Sequence, residues 1–125
     1  WIGAALPRRS GGWKLSICIV GLARSRRLNR DYRGRDKATN VLSFAGAGSL
    51  ADGCYDLGEL VICAPVVARE ARQQAKAPRA HWAHLTIHGL LHLRGHDHER
   101  TAAARKMEAL EIQVLEKLGF SDPYV

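Results

Sequence analysis

The chain has 125 residues, 46% of them apolar and 25% charged, which suits one domain with a buried core and excludes a disordered or fibrous protein. Its formal charge of +7 points to an anionic partner, and its longest uninterrupted apolar run, ICIVGLA (17–23), is far shorter than the roughly twenty residues of a membrane-spanning helix. Cys18, Cys54 and Cys63 show no CxxC pairing and no secretory leader is visible, so reduced thiols in a cytoplasmic protein are expected.

In chain order, WIGAALPRRSGG reads as the end of a helix broken near Pro7. KLSICIV (14–20) reads as a buried strand. ARSRRLNRDY (23–32), if helical, has only Leu22, Leu28 and Tyr32 to hold it to a core, so its arginines face solvent or a ligand. From Arg24 to Lys37 seven basic residues stand against two acidic ones, and composition leaves a phosphate-binding surface and a solvated helix face equally open. TNVLSFA (39–45) is a second strand, GAGSLADGCYD a loop, and LGELVIC (57–63) a third strand. Pro65 suits the first turn of a helix burying Val66, Val67, Ala71 and Ala75. Pro78 opens a helix that Gly95 ends, and a last helix, about 99–118, presents Met107, Leu110, Val114 and Leu118 before Gly119 stops it. Strands in the first half and helices in the second predict a single α/β (α+β) domain over residues 1–125. Its core is a small mixed sheet of three to four strands covered by helices, a further strand being expected before Trp1.

All six histidines fall between His81 and His98. On one helix, His81, His84, His88 and His92 share a face, and both His84/His88 and His88/His92 have the i, i+4 spacing of a zinc-binding pair. In HGLLHLRGHDH (88–98), Gly95 allows the chain to fold back so that His98 becomes the natural third ligand beside His88 and His92. This HxxxHxxGxxH pattern is that of the metzincins, and three protein ligands leave a fourth position open for chemistry. His81 and His84 read as groups that pack or support the ligands. Asp97 either orients a ligand histidine or caps the last helix. In zinc peptidases a glutamate follows the first histidine and acts as base, but here that residue is Gly89. Phosphodiester cleavage asks instead for a Lewis acid and positive charge, which the arginine-rich segment supplies.

With these residues the chain resembles the YbeY family of bacterial endoribonucleases, through LNRDYRGRDKATNVLSF (28–44), LGELVIC (57–63), HWAHLTIHGLLHLRGHDHE (81–99) and MEALEIQVLEKLGFSDPY (107–124). The resemblance implies a zincin-like metal-binding helix, Zn²⁺ on His88, His92 and His98, and catalytic roles for His88 and Arg33. It also implies cleavage of single-stranded RNA in ribosomal RNA maturation and ribosome quality control, with ribosomal RNA and ribosomal subunits as partners and neither DNA nor membrane. Arg30, Arg33, Arg35 and Lys37 are candidate RNA-binding residues, and Asp97, Glu59 and His96 are candidates for the base or for support of the ligands. The chain departs from the family at His96, where tyrosine is usual, at Ala45, where proline is usual, and at Glu59, which lengthens an aspartate. Two alternatives remain: a metzincin-like metallopeptidase, and a non-catalytic, zinc-stabilised ribosome-assembly factor. The residues leave the general base and the oligomeric state open.

Overall fold

The computed structural model describes residues 1–95 and 101–124. Its elements in order are α1 (Ile2–Ala5), β1 (Trp13–Val20), α2 (Leu22–Arg33), β2 (Val41–Ser49), β3 (Tyr55–Cys63), α3 (Ala64–Gln73), α4 (Pro78–Leu93) and α5 (Thr101–Lys117). The three strands form a mixed sheet in the order β1-β3-β2, with β1 parallel and β2 antiparallel to β3. β3 takes the centre because its run Leu60, Val61, Ile62, Cys63 is apolar on both faces, and all four side chains are buried.

Strand alternation divides the core between the two faces of the sheet. On one side Val20, Leu42, Val61 and Cys63 pack with Leu28 of α2 and Phe44. On the other, Ile62 and Val41 meet Leu85 of α4, while Ala83, Ile87, Leu90 and Leu91 of the same helix pack against Met107, Val114 and Leu115 of α5. The helix is therefore apolar on two sides, toward the sheet and toward α5, and its histidines occupy what remains. Pro65 and Pro78 sit in the first turns of α3 and α4, as the sequence predicts. Gly95 follows α4 with φ +91°, a left-handed conformation suited to ending a helix.

Four expectations need correction. β1 is an edge strand, not a buried one: it pairs only with β3, and Ile17 and Ile19 are 43% and 64% exposed. GAGSLADGCYD is mostly strand. β2 bulges between Ala45 and Gly48 and then resumes pairing at Gly48 with Asp56 and Ser49 with Tyr55. The Asp56 carboxylate accepts the N–H groups of Ala47 and Gly58 across the bulge, so only a short turn near residues 50–54 joins the strands. Ala75 lies beyond the end of α3, exposed, with φ +52°.

The fourth correction concerns α2. Of the three expected anchors only Leu28 packs on the sheet; Leu22 and Tyr32 are exposed, and the helix is held further by polar residues, Ser25 and Asn29, 1% and 3% exposed. Ser25 Oγ donates to Thr39 O and accepts from Thr39 N–H, both at 3.0 Å, and Asn29 Nδ2 donates to Lys37 O at 2.9 Å. A two-pronged Arg26–Asp36 ion pair, at 2.7 and 2.9 Å, closes the same loop from outside, and Arg26 holds the Asp36 carboxyl below its ordinary value. Asn29→Ala removes a buried side chain that donates to Lys37 O and ties α2 to the following loop. Urea unfolding is expected to show a loss of about 1–2 kcal/mol.

Candidate metal and phosphate site

α4 carries His84, His88 and His92 on successive turns, with ring centroids 6.0 Å apart for the first pair and 4.8 Å for the second. Behind them, from α5, comes Glu111, fully buried at 0% exposure. Its Oε2 accepts from His84 Nε2 at 3.1 Å and from the Tyr124 hydroxyl at 2.5 Å, and its Oε1 makes a short hydrogen bond with His88 Nδ1. Burial alone would push this carboxyl up. The hydrogen bonds from His84, His88 and Tyr124 overcome that and hold it at about 2. Burial and Glu111 together raise the Tyr124 hydroxyl above its ordinary range, so it stays protonated and donates.

An ionised carboxylate only accepts hydrogen bonds, so the two imidazole nitrogens facing it must carry protons. For His88 this places the proton on Nδ1 and the lone pair on Nε2. For His84 it leaves the lone pair on Nδ1, a buried atom with no hydrogen-bond partner among the described residues. His84, His88 and Glu111 each offer one ligand atom, all within 4.8 Å of one another, so a metal ion could take the place of the protons between them. The donor set, imidazoles backed by a carboxylate, suits a zinc-like ion.

The histidine row lines a cleft of about 590 Å³ that is also lined by Asn40, Ser43 and Arg33. Arg33 is held there by a 2.7 Å hydrogen bond from Nη2 to Ser43 O and by its guanidinium standing 5.5 Å from the centroid of the Phe44 ring. An anion in this cleft would find both a guanidinium and imidazoles in its lining.

The endoribonuclease YbeY family model matches residues 4–119 of this sequence. The chain belongs to the endoribonuclease YbeY family. Among its relatives, endoribonuclease YbeY of Laribacter hongkongensis is 52% identical over 127 aligned residues, covering 99% of this chain and 76% of that one. The Bordetella pertussis protein of the same name is 49% identical over 132, covering 100% and 83%. The solution structure of TM1509 from Thermotoga maritima superposes with a TM-score of 0.53 at 26% identity, over 87% of this chain and 76% of that one. The proteins that carry the YbeY name are endoribonucleases, hydrolases of RNA. The α/β fold with a three-stranded mixed sheet agrees with the expected fold class.

The structure of this YbeY chain brings together Arg33, His88 and His92 of the expected site and adds His84. It does not bring Glu59 there: Glu59 pairs with Phe44, one residue out of phase with Leu60, and so projects from the sheet face opposite α4. Arg30, Arg35 and Lys37 are exposed and none of them lines the cleft, Arg30 being paired with Asp31 at 3.2 Å. His96, Asp97 and His98 lie outside the described residues. His81 is a packing group, buried, with Nε2 3.0 Å from Glu70, whose carboxylate also accepts from Asn40. Glu111 and Tyr124 are absent from the expectations. The first had a legible signal, an acidic residue on the apolar stripe Met107, Val114, Leu118; the second had none.

Gly89 has a structural reason of its own. A Cβ at this position would stand 2.8 Å from Leu60 Cδ2 and 3.3 Å from Ser43 Oγ and Val41 Cγ2, and Ser43 Oγ donates to Gly89 O at 3.3 Å. The position faces Leu60 of β3 and Ser43 and Val41 of β2, where α4 lies too close to the sheet to admit a side chain. Gly89→Glu would thus drive an unpaired carboxylate into the core and supply no base. Denaturant unfolding is expected to show a loss of about 3 kcal/mol or more, with no peptidase activity gained.

Among the described residues, no helix is long and apolar enough to cross a membrane.

Proposed function

We propose that this chain is a zinc-dependent, single-strand-specific endoribonuclease acting in ribosomal RNA maturation and ribosome quality control, with ribosomal RNA and ribosomal subunits as its partners in the cytoplasm. The observation that carries the reading is that Arg33 and the histidine row line one cleft. His88, His92 and His98 are the proposed zinc ligands. A zinc ion held there would supply Lewis acidity at the phosphoryl group of the scissile bond.

The protein's own residues do the rest. Arg33 binds and orients the scissile or a neighbouring phosphate, and offsets the negative charge that develops during cleavage. Its hydrogen bond to Ser43 O and its contact with Phe44 restrict the guanidinium before the substrate arrives. Glu111 fixes the tautomer of His88 so that Nε2 offers its lone pair, while Tyr124 and His84 hold Glu111 in turn. A peptidase reading is disfavoured by Gly89, whose place against the sheet leaves no room for the base of that chemistry.

The test is cleavage of a labelled single-stranded RNA and of its duplex by zinc-reconstituted protein, with His92→Ala purified identically. The single strand is expected to be cut by the wild type alone. Equal cutting by both preparations would mark a contaminating nuclease and sink the proposal. Cleavage of an unfolded protein with RNA untouched would select the peptidase. RNA binding without cleavage would select the assembly factor.

A further inference from the structure

The sheet face opposite α4 carries a second, smaller cavity, of about 200 Å³. Its walls are Arg24, Leu28 and Tyr32 of α2, Phe44 of β2, and Glu59 and Val61 of β3. It is smaller than the roughly 300–1,000 Å³ of sites that enclose drug-sized ligands, and it suits a single planar ring system. Arg33 relates the cavity to the cleft. β2 is an edge strand, Arg33 bonds its backbone at Ser43 on the cleft side, and the same guanidinium stands over Phe44, whose ring lines the cavity.

Three features of the cavity are unexplained by folding. Tyr32 is 64% exposed, and its ring meets Phe44 edge-on, with centroids 5.3 Å apart and planes at 75°. Glu59 is half-buried in the wall, yet neither it nor Arg24 makes a side-chain hydrogen bond or ion pair among the described residues. An aromatic surface, an acceptor-only carboxylate and a donor-only guanidinium thus share one small space.

We infer that this cavity is a nucleobase subsite of the RNA-cleaving cleft, selective for an unpaired guanine. The inference rests on the RNA reading proposed above. A strand whose phosphate sits on Arg33 can turn around the free edge of β2 and place a neighbouring base against Tyr32, with Leu28 and Val61 beneath it. Sequence-tolerant stacking on an exposed aromatic supplies the affinity. Guanine fits the two charges because its N1–H and N2–H₂ are adjacent donors for the Glu59 carboxylate, while its O6 and N7 accept from a guanidinium such as Arg24. A base held in a duplex cannot be splayed into the cavity, so the subsite also contributes to the choice of single strands.

The test uses metal-free protein and fluorescence anisotropy with labelled hexauridine, and with hexamers carrying one guanosine at each position in turn. At one position guanosine is expected to tighten binding by about tenfold, and inosine, which lacks the N2 amino group, to lose most of that gain. Glu59→Gln is expected to bind guanosine-containing and guanosine-free hexamers equally, and Tyr32→Ala to weaken all of them by about tenfold. Both side chains lie outside the main clusters, and a melting curve for each variant verifies the fold. If the wild type binds RNA in an Arg33-dependent manner but guanosine gives no gain at any position, the subsite is wrong while the RNA reading stands. If the wild type neither binds nor cuts any RNA, both fall together.

Discussion

Glu111→Ala is expected to damage both the stability of the protein and its zinc affinity. It removes one acceptor shared by His84, His88 and Tyr124, leaving buried N–H groups without partners and a cavity in the interface of α4 with α5. A stability loss of about 2–4 kcal/mol follows, to be read from urea unfolding of the metal-free protein. Zinc affinity is expected to fall by about 10–100-fold, because the tautomer of His88 is no longer fixed, and chelator competition measures that directly. Glu111→Gln separates the two effects. Its amide oxygen still accepts from His88, and His84 can switch tautomer to meet the amide N–H, so stability suffers less than in the alanine variant. Zinc affinity that stays at the wild-type value in both variants would refute the supporting role.

The same carboxylate makes acid stability predictable in sign. Glu111 is held at about 2, against an ordinary value of 4.5, so it contributes stability that is fully present above about pH 4.5 and is lost as the pH falls toward 2. The contribution is on the order of 3 kcal/mol at most. Equilibrium unfolding of metal-free protein across that window should show the decline, and the Glu111→Gln variant should show a shallower one.

Arg33→Ala is expected to lower RNA cleavage by about 10²-fold or more while leaving zinc content and the melting curve close to the wild type. The reasoning is geometric: Arg33 is exposed, contributes to no buried cluster, and contacts the sheet only through Ser43 O and the face of Phe44. Arg33→Lys keeps the charge but not the planar fork, and should recover only part of the activity. Loss of zinc together with activity in Arg33→Ala would show that the arginine acts on the fold and not on the phosphate.

Much of the site was legible because its signals are local. The i, i+4 spacing of His84, His88 and His92 survives in any helix that forms over those residues, and Pro78 with Gly95 bounds that helix from both ends. The basic segment before β2 was equally visible, as was the family resemblance. Where the reading failed, alternation or long-range packing decided. Glu59 was a candidate base as an acid standing where the family has an aspartate, but its register opposite Phe44 puts it on the other face of the sheet. The loop expected over GAGSLADGCYD followed from its glycine and aspartate content, while the bulge and the Asp56 carboxylate keep Gly46 and Gly48 in strand.

What the sequence alone determined was the identity and spacing of the reactive groups on α4 and the boundaries of the elements around it, since helix periodicity and capping act over a few residues. Tertiary structure alone decided which groups meet them. Glu111 and Tyr124 reach the histidines from 23 and 40 residues away in the chain, Arg33 reaches the cleft across an edge strand, and Gly89 turns out to face Leu60 and Ser43. These pairings depend on how two helices and a sheet share one core, and no local pattern encodes that geometry.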